Sequence, residues 1–60
     1  MFIEIRTKRN ELVMININHI LFFTPNKNGT LIVDIIGNEY SIEEPYSDFK
    51  HRFNTFISLK

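Results

Sequence analysis

The stretch ILFFTPNKNGTLIVDII, residues 20–36, reads as a β-hairpin. Two runs of Ile, Leu, Val and Phe flank Asn26-Lys27-Asn28-Gly29, and Asn-Gly accepts the positive φ that a tight hairpin turn needs. Pro25 has no N–H to give to a ladder and closes the first run. Downstream, Gly37-Asn38 is the next turn, and Glu39 to Glu43 forms a short strand with Tyr40 and Ile42 on one face. Upstream, Asn16-Ile17-Asn18-His19 is a bend, because Asn tolerates turn conformations and bonds its own backbone. Before it, Leu12 to Ile17 and Phe2 to Thr7 alternate as half-buried strands do, joined by the polar Lys8-Arg9-Asn10-Glu11. The predicted strands thus cover approximately 2–7, 11–17, 20–24, 30–36 and 39–43.

Beyond residue 43 the period changes. Tyr46, Phe49, Phe53, Phe56 and Ile57 recur at spacings of three and four, which is one face of a helix. Pro45 suits the first helical position, where a missing N–H costs nothing. Glu43, Glu44 and Asp48 sit near the positive end of the helix dipole and Lys60 near the negative end. A helix over approximately 45–58 completes an α+β, mostly β domain: a five-stranded antiparallel twisted meander with a C-terminal helix packed on one face. The expected core is Ile3, Ile5, Val13, Ile15, Ile20, Phe22, Ile32, Tyr40, Ile42, Phe49, Phe53 and Phe56.

Composition supports this architecture and narrows the function. The chain has 60 residues, enough for one domain, 1–60, with no linker or repeat. Ten Ile and six Phe favour strands, and the absence of Ala removes the best helix former. At 43% hydrophobic and zero formal net charge, the sequence is not that of a disordered chain. No apolar run approaches the ~18 residues of a membrane span, and no leader pattern is visible, so a cytoplasmic protein without membrane contact is expected. With no cysteine there is no disulfide, thiol chemistry or Cys-based zinc site.

The middle strands carry apolar residues on both faces, whereas one helix covers only one. Leu12 and Met14 oppose Val13 and Ile15, and Leu21 and Phe23 oppose Ile20 and Phe22. A solvated second face would be polar. Either the sheet curls over these residues or they meet another chain. The expected contact face is Leu12, Met14, Leu21 and Phe23, with a homo-oligomer favoured and a different protein partner the other option. Asp34, midway along an Ile-rich strand, reads as an outward charge that limits sheet stacking or as a polar contact within an interface.

Sites of chemistry are not evident. His19 has Asn neighbours, and His51 lies between Lys50 and Arg52 on the polar side of the helix; neither has a metal-ligand spacing. Glu43 and Glu44 are adjacent and point apart, which does not make an acid–base pair. No catalytic residue, metal site, cofactor or small-molecule substrate is expected, and the chain does not read as an enzyme. Nucleic-acid binding is the second reading. Arg6, Lys8 and Arg9 at the first hairpin and Lys50 and Arg52 on the helix would contact phosphates, with aromatic rings as stacking platforms. Five Glu and two Asp weigh against it. Asn28-Gly29-Thr30 matches a glycosylation sequon but reads as a turn.

The order of these residues resembles the small FlbD-like family of bacterial flagellar-associated proteins. The resemblance runs through Ile5-Arg6, Ile15-Asn16 and Ile20, Thr24-Pro25, Thr30-Leu31-Ile32, Gly37, Tyr40-Ser41-Ile42 and Glu44. The turn after Pro25 is longer here, and Ile36-Gly37-Asn38 replaces the usual Asn-Gly. The resemblance implies a small cytoplasmic accessory protein without catalysis, with motility as one setting. Residues 19–56 also resemble the first half of LytTR-type DNA-binding domains, which continue past the helix into a basic DNA-contacting loop. The chain ends at Lys60, short of that loop, so this resemblance implies DNA binding only as the second reading.

Overall fold

The computed structural model describes residues 1–58; Lys60, expected at the negative end of the helix dipole, lies outside them. The elements are β1 (Phe2–Arg6), β2 (Leu12–Asn16), a 3₁₀ turn (Ile17–His19), β3 (Ile20–Asn26), β4 (Gly29–Asp34), β5 (Glu39–Ile42) and α1 (Tyr46–Ser58). All pairings are antiparallel, but the strands form two sheets, β1-β2 and β3-β4-β5. The meander is therefore interrupted between β2 and β3. There the Asn16 side chain accepts from the Asn18 N–H and the chain turns through the 3₁₀ segment, so β3 leaves without pairing with β2.

The sheets join at the other end of the first hairpin. Thr7 forms a bridge with Ile42, and the Lys8 N–H donates to the Ser41 carbonyl at 2.9 Å. Thr7 also closes the first loop: its N–H donates to the Glu11 carbonyl at 2.8 Å, and its hydroxyl accepts from the Glu11 N–H. Three residues remain between, and Asn10 takes the left-handed conformation at φ 67° that such a loop requires.

The inner faces of the two sheets and one face of α1 enclose Ile3, Ile5, Ile15, Ile17, Ile32, Ile42 and Phe49. Val13, Ile20, Phe23, Tyr40, Phe53 and Phe56 pack around them. Phe22 departs from the expected core: it is exposed, and Phe23 takes the inner position. The cause is a register shift between Ile20 and Phe22. Ile20 pairs with Asp34 but Phe22 pairs with Val33, which leaves Leu21 as the extra residue and reverses the faces that follow. Phe23 meets α1 edge-on against Phe49, with ring centres 4.9 Å apart, and also lies 5.1 Å from Phe53 and 5.7 Å from Tyr46.

The second hairpin also closes one residue earlier than expected. Asn26 pairs with Gly29, so Lys27-Asn28 forms the loop, and neither Asn28 nor Gly29 has positive φ. Gly29 is needed for space instead. A Cβ there would land on the Ile42 carbonyl oxygen and come within 3.0 Å of the Glu43 Cα. Gly37 does take positive φ, at 94°, with open space where its Cβ would be. Pro45 lies just before the helix, and its carbonyl accepts the Phe49 N–H at 3.0 Å.

These two glycines predict opposite rankings by space and by dihedral angle. Gly29→Ala displaces β5 backbone and costs roughly 2 kcal/mol or more, whereas Gly37→Ala costs about 1 kcal/mol, the ordinary left-handed penalty. Urea unfolding of the two variants measures the difference; equal losses would mean that the contact with Ile42 relaxes freely.

Candidate functional site

Three polar constellations and an exposed apolar surface are the features from which a site could be built. The first is Asp34 at the end of β4. It is buried, contrary to the expected outward charge, and its carboxylate serves the following turn. Oδ1 accepts from the Ile36 and Asn38 N–H groups at 3.1 and 2.8 Å, and Oδ2 accepts from the Tyr40 hydroxyl at 3.0 Å. Burial alone would raise its pKa. The bonds from the Asn38 backbone, the Tyr40 hydroxyl and the Asn38 and Ile36 groups outweigh that and hold the carboxyl below its ordinary value. Tyr40 shifts upward, from burial first and then from its bond to the Asp34 carboxylate and the nearby negative charge. Asp34 is thus an ionised cap on the Ile35–Asn38 turn.

The second constellation joins α1 to the sheets. The Arg52 guanidinium grips Glu44 with two bonds, Nε to Oε2 at 2.9 Å and Nη2 to Oε1 at 2.8 Å. Nη2 also donates to the Glu4 carbonyl at 3.0 Å, and the guanidinium lies 5.8 Å from the centre of the Phe49 ring. The Glu44 carbonyl in turn accepts from the buried Thr30 hydroxyl at 2.9 Å. One arginine therefore ties the helix, the preceding loop and β1 together. The periodicity placed Arg52 on a polar helix face, but nothing in it pointed to a carbonyl on β1.

The third constellation is the groove beside the first hairpin, about 380 Å³ in volume, lined by Arg6, Thr7, Lys8, Asn10, Glu43 and Glu44. It brings Arg6 and Lys8 together, as the nucleic-acid reading required, but sets two glutamates against them. Arg6 is engaged with the Asn10 side chain at 2.7 Å. Arg9 lines a neighbouring groove of about 390 Å³ with Glu11 and Glu39 among its walls. Lys50 is exposed on α1 and Arg52 is held by Glu44. The basic residues thus do not form a single positive surface. His19 and His51 are both exposed, and among the described residues no group of three His, Asp or Glu side chains is placed to hold a metal ion.

The apolar surface is more extensive than sequence pattern indicated. Leu12, Met14 and Leu21 are 58–62% exposed. Phe23, expected beside them, packs against the helix. On the β1-β2 outer face, Phe2 joins Leu12 and Met14, while Glu4 stands opposite Met14 and Arg6 opposite Leu12. On the other sheet, Leu21 and Phe22 are exposed at the start of β3, and Ile35 and Ile36 at the turn after β4. The bond from the Ile35 N–H to the His19 carbonyl, 2.9 Å, holds those two segments side by side. Ile36, the most exposed of these at 80%, escaped the sequence reading because it was assigned to a strand.

The fold and these sites define a small α+β domain, mostly β. No protein-family model matches the chain, and comparison with curated proteins and with solved structures likewise returns no match.

The Asp34 cap predicts a specific pH dependence. The folded carboxyl lies below its unfolded value of about 3.9, so its contribution is complete above that value and disappears as pH falls through the folded one. Asp34→Asn should lower Tm by roughly 5–15 °C at neutral pH and remove that part of the acid-side decline. Thermal unfolding of both proteins between pH 2 and 7, by circular dichroism, tests this (roughly the carboxylate titration range). Parallel curves would show that the carboxylate charge is not used by the fold.

Proposed function

We propose that this chain is a non-enzymatic protein-interaction module that self-associates through the apolar outer surface of its sheets. The supporting observation is the exposure of Leu12, Met14 and Leu21 together with Phe2, Phe22, Ile35 and Ile36 in a chain of only 60 residues. Apolar patches of this kind, rimmed by polar groups such as Glu4 and Arg6, mark contact surfaces. A standard interface of about 800 Å² per partner would cover roughly a fifth of the 4184 Å² surface, enough for one contact to shield the Phe2, Leu12 and Met14 face of β1-β2. The polar constellations favour the same reading, since Asp34, Glu44 and Arg52 are committed to structure. The FlbD-like resemblance, with its cytoplasmic accessory role, is compatible with such a module and rests on the strand and turn residues that carry it.

Sedimentation equilibrium over a wide concentration range tests the proposal. The native chain should associate, and Met14→Lys should weaken association by about 100-fold or more while leaving the monomer folded, because that side chain is exposed. The protein should not retard a labelled oligonucleotide at moderate salt. A strict monomer would remove self-association, and salt-dependent retardation that weakens on Lys8→Gln and Arg9→Gln would favour the nucleic-acid reading instead.

A further inference from the structure

The edge strands of the two sheets differ in what guards them, and the difference points to a mode of assembly. In the first sheet, bonds from the Ile17 N–H to the Met1 carbonyl and from the Thr7 N–H to the Glu11 carbonyl fix the odd-numbered residues as the hydrogen-bonded pairs between β1 and β2. The even-numbered residues therefore direct their backbone groups away from the partner strand. On and just beyond β1 two of those groups are used, the Glu4 carbonyl by Arg52 and the Lys8 N–H by Ser41, and the strand carries the charges of Glu4 and Arg6. On β2 the corresponding residues are Leu12, Met14 and Asn16, and among the described residues β1 is its only strand neighbour.

Open edges are normally guarded by proline, lysine, charge or a bulge. The β3 edge carries two such guards, Pro25 and the register shift at Leu21. The β2 edge carries none: Leu12-Val13-Met14-Ile15-Asn16 is uncharged, lacks proline and pairs in unbroken register. We infer that β2 is a dimerisation edge whose occupant is β2 of a second copy of this chain, paired antiparallel about a two-fold axis at Met14. The inference rests on the reading of this chain as a self-associating module and specifies how that module assembles.

The register follows from backbone direction. A two-fold at Met14 sets Met14 opposite its own copy and Leu12 opposite Asn16 of a second copy, all residues whose N–H and C=O groups point outward. The Met14 pair exchanges both backbone bonds, whereas each Leu12–Asn16 pair is joined by the Asn16 N–H donating to the Leu12 carbonyl, because the Asn16 carbonyl caps the 3₁₀ turn. The two-stranded sheets become one four-stranded sheet. Its outer face carries Met14 against Met14 at the centre, Leu12 and Phe2 of each copy around it, and no charge facing a like charge on the adjacent strand. Zero formal net charge leaves no overall repulsion between copies. The contact is isologous, so at this edge it closes on itself as a dimer.

Amide hydrogen exchange by NMR, on the native chain at low and high concentration alongside sedimentation, tests the mode. The expected result is a dimer in which the Met14 and Asn16 amides slow by roughly tenfold or more as concentration rises, while Val13 and Ile15, already bonded to β1, change little. Met14→Pro should abolish the dimer and keep the monomer fold, because the N–H it removes points away from β1. A dimer whose even-numbered amides stay fast, or a folded Met14→Pro protein that still dimerises, overturns edge pairing and leaves face-to-face association standing. A monomer at every concentration overturns both.

Discussion

Ser41-Ile42 is the point through which the two sheets become one core. Ile42 pairs with Thr30 on β4, bridges to Thr7 beyond β1, and buries its side chain with only 1% exposed. Ser41 receives the Lys8 N–H through its carbonyl and the Asn26 amide through its hydroxyl. Gly29 approaches from the other side so closely that no side chain fits there. Without this junction, two hairpins would each present an inner face of isoleucines with nothing opposite, and small two- and three-stranded sheets are at best marginal alone in water. With it, the faces are held at a spacing that Phe49 and Phe23 fill.

The helix is the lid on this arrangement, and its attachment is unusually polar for so small a domain. Aromatic packing supplies the apolar part: Phe49, Phe53 and Tyr46 surround Phe23. Orientation comes from Arg52, which is fixed at once by Glu44 and by a β1 carbonyl, and from Thr30, which anchors the loop before the helix. The pair is partly exposed, so its net energy is modest and its geometric role larger. The same contact occupies one outward carbonyl on β1, leaving β2 as the side of that sheet without a cover.

Much of this architecture was legible from residue order. Alternation located the strands, and the spacing of Phe49, Phe53 and Phe56 located the helix, because both signals follow the burial periodicity of regular structure. Irregularity was not legible. The extra residue at Leu21 carries no sequence mark, since Ile20-Leu21-Phe22-Phe23 is apolar throughout and either register buries a phenylalanine. That single shift put Phe22 outside and Phe23 inside, and so removed one of four residues from the expected contact face. Asp34 was misread because its partners are backbone groups in the next turn, which no residue-type pattern reveals. Leu12 and Met14 were legible as outward-facing because β2 is regular, whereas Leu21 is exposed through the bulge and not through the alternation that set it beside Phe23.

The placement of Thr7 against Ile42 also bears on how the chain reaches its native state. Each hairpin closes a loop of two to four residues, Lys8–Asn10, Lys27-Asn28 and Ile35–Asn38, at small entropic cost. The Thr7–Ile42 bridge spans most of the chain and must wait until its flanking strands exist, so it carries most of the search. Topologies dominated by such distant pairings fold slowly, and those dominated by neighbouring ones fold fast. This chain combines local hairpins with long-range contacts at the Thr7–Ile42 seam and between α1 and the sheets. The seam therefore adds to the share of distant pairing that slows folding, and Gly29 and Ile42 lie where a substitution disturbs it.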